Sequence, residues 1–269
     1  MNTMNSLTFP GNLIVMRHSE RLDQVVPNYF ASLDNPSYQR TDCNMKPGLP
    51  VNRDLEHYRY DSPITSNGEH IAKLVGRELD LMNLVPDIIY SSPSLRCLQT
   101  AEIVAKMSGS KSLIRVESCL FENIESYPAN IPTFLNEEQM KKFMIEENFT
   151  PLLPANQLFD QYESTEQYNI RIHSVLKRVL KLGENLDKPS STVLIVAHAS
   201  TVDMAVGLLR DCPRLTTDQD LYKIGDKIPY CSTVLLKKKQ EKWIPSHSLP
   251  FITSKMFTNR PDYEFIERS

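Results

Sequence analysis

An α/β fold, with a largely parallel sheet and helices on both faces, is predicted by three features of the 269-residue sequence. Short apolar runs alternate with segments of helical periodicity along most of the chain. The best of those runs, Thr192-Val-Leu-Ile-Val-Ala197, is an unbroken apolar strand of the kind buried on both faces. Three runs end in, or just before, polar residues capable of chemistry: Arg17-His18, Ser91 to Arg96, and His198. In open parallel sheets, ligands bind at the carboxyl ends of strands, so these three ends are expected along one edge.

The elements follow in order. Leu13 to Met16 is a short buried strand that stops at Arg17-His18. Residues 24 to 64, rich in Pro, Asn, Asp and Tyr, carry no periodicity and are expected to form a lid, a binding loop or disorder. Helical spacing resumes at Ile71, Leu74, Val75, Leu79 and Met82, with Ser66 and Asn67 available as caps. Asp87-Ile-Ile-Tyr-Ser91 is a second strand, and a helix follows from about Ser94 to Met107, with Gly109 as its stop signal. Leu113 to Val116 is a third strand.

Residues 120 to 163 break the alternation and are expected to be an insertion over the main fold, with one helix at Asn136 to Glu147. Ser164-Thr-Glu-Gln167 has the pattern of a capping box ahead of a long amphipathic helix. After the strand at 192–197, a helix is expected through about Leu209. Cys231 to Leu236 and Lys242 to Ile244 form a late hairpin, with Lys237 to Lys239 in a solvated turn. Residues 1–269 are expected to make one domain.

Composition narrows the function. A hydrophobic fraction of 41% and a charged fraction of 23% are those of a soluble globular protein. A formal charge of -3 gives no electrostatic reason to expect nucleic acid or a membrane as partner. The five cysteines form no CxxC pair, and the N-terminus lacks a basic stretch followed by a long apolar run. A cytoplasmic location with reduced thiols is expected. His57, His70, His173 and His247 form no HxH or HExxH pattern, so neither a metal nor another cofactor is expected. A Gly-rich GxxxxGK phosphate loop is absent.

Arg17, His18 and Arg21 point to phosphate chemistry. Two guanidiniums close to a strand end offer forked donors to phosphate oxygens. Their charge disfavours protonation of His18, and a neutral imidazole is a competent nucleophile toward phosphorus. Arg96, in the first turn of a helix, can reach the same anion. His198 can donate to it from the opposite side. Glu122, in Leu120-Phe121-Glu122, is a candidate proton donor whose apolar neighbours are expected to raise its pKa. Glu117, Glu125 and Glu20 compete with it on composition.

These residues carry a family resemblance. Met16-Arg-His-Ser-Glu-Arg21 resembles the RHG signature of the histidine phosphatase, or phosphoglycerate mutase-like, superfamily. Pro63-Ile-Thr65 with Gly68, Ser91-Ser-Pro-Ser-Leu-Arg96 with Gln99-Thr-Ala101, Leu120-Phe-Glu122 and Val196-Ala-His198 follow in the family's order. Arg40-Thr-Asp-Cys-Asn-Met45 with Leu49-Pro50, Ile114-Arg-Val-Glu117 and Ile228-Pro-Tyr-Cys231 look like the branch holding the suppressor of T-cell receptor signalling phosphatase domains and the ecdysteroid-phosphate phosphatases. The chain resembles that catalytic domain standing alone.

The resemblance implies a three-layer α/β sandwich with an inserted cap and metal-independent hydrolysis of a phosphomonoester. His18 would become phosphorylated, Arg17, Arg21, Arg96 and His198 would hold the phosphate, and Glu122 would be the acid that later activates water. The substrate would be protein phosphotyrosine or an aryl or steroid phosphate, small molecule or phosphoprotein, with a homodimer as a further expectation. The family's glycines after the two histidines are Ser19 and Ala199 here, and the aromatic residue that the branch places after Leu-Phe-Glu is Asn123. Each added Cβ lies where glycine permits close approach or positive φ. A pseudophosphatase acting as a phosphoprotein-binding scaffold is therefore the rival from another class. Phosphoglycerate mutase is the rival enzyme, and the Tyr-Gly of its pattern is missing after Glu122.

Overall fold

The computed structural model describes residues 11–34, 37–124, 127, 131–160, 163–183, 191–209, 218–239 and 242–246. In chain order its elements are β1 (Asn12–Arg17), α1 (Leu22–Val25), α2 (Tyr29–Leu33), α3 (His57–Tyr60), α4 (Ser66–Leu81), β2 (Ile88–Ser91), α5 (Leu95–Ser108) and β3 (Ile114–Val116). There follow α6 (Glu137–Met140), α7 (Thr165–Gly183), β4 (Thr192–Ala197), α8 (Ala199–Leu209), α9 (Asp218–Lys227), β5 (Thr233–Lys239) and β6 (Lys242–Ser246). The strands form one six-stranded sheet in the order β3-β2-β4-β1-β5-β6. The first four in that order run parallel, and β5 and β6 complete one side antiparallel.

Alternation along the strands separates two apolar layers. Ile14, Met16, Ile89, Leu194, Val196 and Leu235 face one way, onto Ile71, Val75 and Leu79 of α4 and Leu98, Ala101 and Val104 of α5. Leu13, Val15, Ile88, Tyr90, Val193 and Ile195 face the other way, onto Tyr168, Ile172, Val175 and Val179 of α7 and Val202 and Met204 of α8. Strands β1, β2 and β4 are thus buried on both faces, which explains their continuous apolar sequence.

Local signals set the helix ends. The Thr65 hydroxyl caps α4 by accepting from Gly68 N at 2.8 Å, one residue earlier than the caps expected from sequence. Gly109, at φ 74°, closes α5 in the left-handed conformation. Ser164 and Gln167 make the reciprocal bonds of a capping box, N–H to Oε1 at 2.8 Å and N–H to Oγ at 3.3 Å.

Three expectations are corrected. Residues 24–64 are not a bare loop: α1 to α3 punctuate them, and Tyr29, Met45, Val51 and Tyr58 are buried in the main core. Tyrosine and methionine scattered without a period gave no signal of that packing. The helix expected at Asn136 to Glu147 is only the turn of α6, because Ile145 instead bridges to Ile114 at the sheet edge and Arg115 pairs with Glu146. Lys237 to Lys239 lie within β5 rather than in the turn. His247, Cys212 and Glu125 lie outside the described residues.

Gly76 marks the closest approach of α4 and α5, where an added Cβ would meet Met107 Cβ and Val104 O, both at 2.7 Å. Gly76→Ala should therefore lower the unfolding free energy by about 1–3 kcal/mol in chemical denaturation, with the m-value unchanged.

Candidate active site

Register brings the site together. Arg17 pairs with Ala197, so the residues after them, His18 and His198, leave adjacent strands at the same level. Ser91 pairs with Val196, which puts Ser92 on the far side of β4. The bonds His18 N–H to Ala197 O (2.8 Å) and Ser92 N–H to Val196 O (3.0 Å) prolong the ladder past the strand ends. The imidazoles of His18 and His198 lie 5.4 Å apart, nearly edge to face.

His18 is 2% exposed, and its Nδ1 lies 2.8 Å from the carbonyl oxygen of Ser19. A carbonyl only accepts, so Nδ1 carries the proton and the lone pair is on Nε2. Burial pushes the His18 pKa well below its ordinary value, and Arg96, Arg17 and His198 push it further, against the Ser19 bond. The ring is a neutral base near neutral pH.

The cations are held firmly. Arg96 has no exposed surface, and one of its Nη atoms, Nη2, pairs with Glu122 Oε1. Its Nε and Nη1 are buried without a hydrogen-bond partner among the described residues. Burial opposes its charge, yet Tyr127 and Glu122 offset this and its pKa is raised. Arg17 donates to the carbonyls of Gly225 (2.7 Å) and Ile228 beyond the end of α9, stacks 4.2 Å over the Tyr230 ring, and likewise leaves Nε unpartnered. Arg21 is turned toward Asp23, bonded through Nε and Nη2 at 2.7 and 2.5 Å. Buried guanidinium N–H groups without partners are costly, and an oxyanion between them would satisfy them.

Glu122 is the carboxylate that the fold delivers to these cations. Its Oε2 lies 3.6 Å from His198 Nδ1, and its Oε1 also accepts from Tyr127 at 2.5 Å. Arg171, on α7, fixes this segment by donating to the carbonyls of Cys119 (2.8 Å), Phe121 (2.9 Å) and Glu122 (3.2 Å). Two competing glutamates serve elsewhere. Glu117 accepts from the backbone N–H groups of Cys119 and Leu152, and buried Glu20 accepts from Thr65 and Asn44. The expected pKa direction is corrected. Burial alone would raise Glu122, but His198, Arg96, Arg21 and the Tyr127 hydroxyl outweigh it, and the carboxyl is held well below the usual range.

His198 is buried, with Nε2 2.8 Å from the Ser92 hydroxyl and Nδ1 turned toward Glu122 and Arg96. Burial lowers its pKa to about 3, with Glu122 opposing and Arg96, Arg21 and Arg17 assisting. Tyr127 was not singled out from the sequence, and Ser92 and Thr100 fell within the noted segments without a role of their own; the Thr100 hydroxyl accepts from Ser19 N–H at 3.0 Å. Each is a hydroxyl residue whose partner is remote in the chain, and no spacing rule reveals it.

The non-glycine residues fit without strain. The Ser19 hydroxyl donates to Gly68 O at 2.7 Å. Gly68 makes room for it, since a Cβ there would stand 2.8 Å from Glu20 O and 3.1 Å from Ser19 Oγ. Among the described non-glycine residues only Asn83 and Cys231 have positive φ, so neither Ser19 nor Ala199 occupies a conformation reserved for glycine. Asn123 is buried, and aromatic rings come instead from Phe121, which meets His198 edge-on at 5.3 Å, and from Phe134, Phe159 and Tyr127 packed around it.

Fold and site define an α/β protein with buried guanidiniums gathered around a buried histidine pair. Comparison with known proteins gives the family. A profile of the histidine phosphatase superfamily (branch 1) matches residues 52–244, which include Arg96, Glu122 and His198. The chain belongs to that superfamily. It is 33% identical over 257 residues to the ecdysteroid-phosphate phosphatase of Drosophila melanogaster, covering 90% of this chain and 33% of that protein. To the ubiquitin-associated and SH3 domain-containing protein B of Mus musculus it is 33% identical over 229 residues, 81% of this chain and 35% of that protein. The chain therefore spans about a third of the length of these curated relatives. The crystal structure of the ecdysone phosphate phosphatase from Bombix mori in complex with tungstate superposes with a TM-score of 0.72 at 25% identity, over 95% of this chain and 99% of that one. Among the described residues, no helix is long and apolar enough to cross a membrane.

His18 and His198 have depressed pKa values in the folded state, so below about pH 6.5 the unfolded chain binds more protons than the folded one. Stability should fall as pH is lowered from about 7 to about 5, approaching about 1.4 kcal/mol per pH unit for each histidine. Denaturant titrations across that range should show a shallower slope in His18→Ala.

Proposed function

We propose that this chain hydrolyses phosphomonoesters through a phosphohistidine formed on Nε2 of His18. The observation that carries the proposal is the Nδ1 bond to Ser19 O, which leaves a neutral Nε2 lone pair on a ring within the electrostatic reach of Arg96 and Arg17, two guanidiniums with unpartnered N–H groups. An arriving phosphate dianion satisfies those donors, and Arg21 and His198 stand beside it. Attack by Nε2 forms the N–P bond as the ester oxygen leaves with the bonding pair, and Glu122 supplies that oxygen with a proton. In the second step Glu122 takes a proton from water as the water oxygen bonds phosphorus and the N–P bond breaks.

Glu122 is ionised while the pocket is open, yet the first step needs it protonated. The bound dianion brings negative charge next to the carboxylate and offsets the guanidiniums that hold its pKa down. Substrate binding thereby converts the ion-paired carboxylate into an acid.

The leaving group is best matched by an aryl or steroid phosphate, or by phosphotyrosine in a protein. Phe121, Phe134, Phe159 and Tyr127 surround Glu122 and His198 with ring surface, which favours a flat apolar leaving group. The names of the ecdysteroid-phosphate phosphatase relative and of the tungstate-bound silkworm structure support the same substrate class and an oxyanion pocket.

Aryl phosphate turnover should fall by at least about a thousand-fold in His18→Ala. Quenching in detergent at alkaline pH during turnover of labelled substrate by the wild type should trap protein-bound phosphate with the acid-labile, base-stable behaviour of a phosphoramidate. Full turnover in His18→Ala, or an acid-stable phosphoenzyme, would overturn the proposal. Glu122→Gln should slow phosphoenzyme formation from alkyl phosphates by about 10²–10⁴-fold and from p-nitrophenyl phosphate far less, because only the former needs its leaving oxygen protonated.

A further inference from the structure

We propose that Tyr127 is a positioning residue for the acid: its hydroxyl commits Glu122 Oε1, so that Oε2 alone carries the proton to and from the substrate. The inference rests on Glu122 being the acid, and it deepens that reading.

Tyr127 O–H donates to Glu122 Oε1 at 2.5 Å. Arg96 Nη2 donates to the same oxygen, and to the Tyr127 oxygen at 3.3 Å. The phenol therefore accepts from the guanidinium while it donates to the carboxylate. A carboxylate oxygen has two lone pairs, and those of Oε1 are both engaged. Oε2 has His198 Nδ1 as its neighbour at 3.6 Å, on the side of the histidine pair where a phosphate would lie. The proton available to a leaving oxygen is then the one on Oε2.

The hydroxyl arrives from an independent direction. Tyr127 is five positions beyond Glu122, and its ring folds back onto Phe121 with centroids 5.4 Å apart. Arg171 fixes the backbone of residues 119 to 122, but it touches no atom of the carboxyl group. Rotation of the carboxylate is thus controlled by Arg96 and Tyr127 together. Arg96 is also a phosphate ligand in the proposed reaction, and its charge is shared once substrate binds. Tyr127 is the partner of Oε1 that substrate does not draw upon. Burial and the adjacent Glu122 both raise the phenol's pKa, so it remains a donor throughout the accessible pH range.

The consequences for catalysis follow from the direction of the bond. In the first step the Glu122 Oε2–H bond breaks, its proton goes to the leaving oxygen, and the electron pair stays on the carboxylate. The Tyr127 donor stabilises that carboxylate and makes Glu122 a stronger acid. In the second step the same bond holds Oε2 toward the incoming water. Loss of the hydroxyl should therefore raise the pKa of Glu122 in the substrate complex. The acid would stay protonated to higher pH but sit less accurately.

The test compares Tyr127→Phe with wild type on an alkyl phosphate and on p-nitrophenyl phosphate, over a full pH range, with thermal unfolding as the control for folding. In the rate of phosphoenzyme formation the alkyl phosphate should lose about 10–100-fold, and p-nitrophenyl phosphate only a few-fold. The alkaline limb of kcat should move up by about one pH unit. Incorporation of 3-fluorotyrosine at position 127 keeps the ring and strengthens the donor, so the limb should move down. That probe decides the matter even if Tyr127→Phe folds poorly. Equal losses on both substrates, or a limb that moves with neither change, would overturn the proposal. Glu122→Gln run in parallel separates the two levels. If it fails to discriminate between the substrates, the acid assignment itself is wrong; if it discriminates and the Tyr127 changes do not, only the role of Tyr127 falls.

Discussion

A guanidinium with no exposed surface must find negative charge nearby, and Arg96 is the point in this protein where that demand is strongest. Its ion-pair partner among the described residues is Glu122, 26 positions further along the chain, and two of its nitrogens are left without a partner among those residues. Much of the surrounding structure responds to it. Glu122 is kept ionised by it, His18 and His198 are kept neutral partly by it, and Tyr127 is drawn to the carboxylate it holds. A cluster so rich in positive charge and poor in compensation is what the proposed reaction requires for a doubly charged oxyanion.

Sheet order is what makes such a cluster possible. With β4 between β1 and β2, the residues following three adjacent parallel strands project from one edge. The same order leaves β3 outermost, next to the segment that supplies the carboxylate. That segment is tied down at several places: Glu117 takes the N–H of Leu152, Ile145 bridges to Ile114, and Arg171 grips the carbonyls around Glu122. In the proposed reaction, strand ends supply the phosphate-facing groups and the irregular segment supplies the proton-handling group. Both must be fixed to within a fraction of an ångström for the two to cooperate.

Sequence reasoning could read the strands because burial on both faces leaves an unmistakable run, as at Thr192 to Ala197. The edge carrying His18, Arg96 and His198 was legible for the same reason: each follows the end of such a run. The choice of Glu122 as candidate acid was not legible from the residues alone, because Glu20, Glu117 and Glu125 compete with it on composition. Only their partners in space separate them, two being consumed by backbone N–H groups and hydroxyls. The pKa of Glu122 was misjudged because its local sequence is apolar while its surroundings in space are cationic. Residues 24–64 were misread for a related reason. Tyr29 and Tyr58 bury their rings and satisfy their hydroxyls on the carbonyls of Tyr58 and Val51, a device with no periodic trace. Ser19 is the reverse case, a departure that looked damaging in sequence and that Gly68 accommodates.

The central claim is that the Ser19 carbonyl fixes His18 as the Nδ1-protonated tautomer, with an unprotonated Nε2 facing the cations. Nitrogen-15 NMR of protein labelled at histidine, assigned with His18→Ala, reads this directly. The predicted result is a protonated Nδ1 and an imine-like Nε2 that persist from about pH 8 to well below the usual histidine range, consistent with the depressed pKa. A protonated Nε2, or titration of His18 near its ordinary pKa of about 6.5, would contradict it.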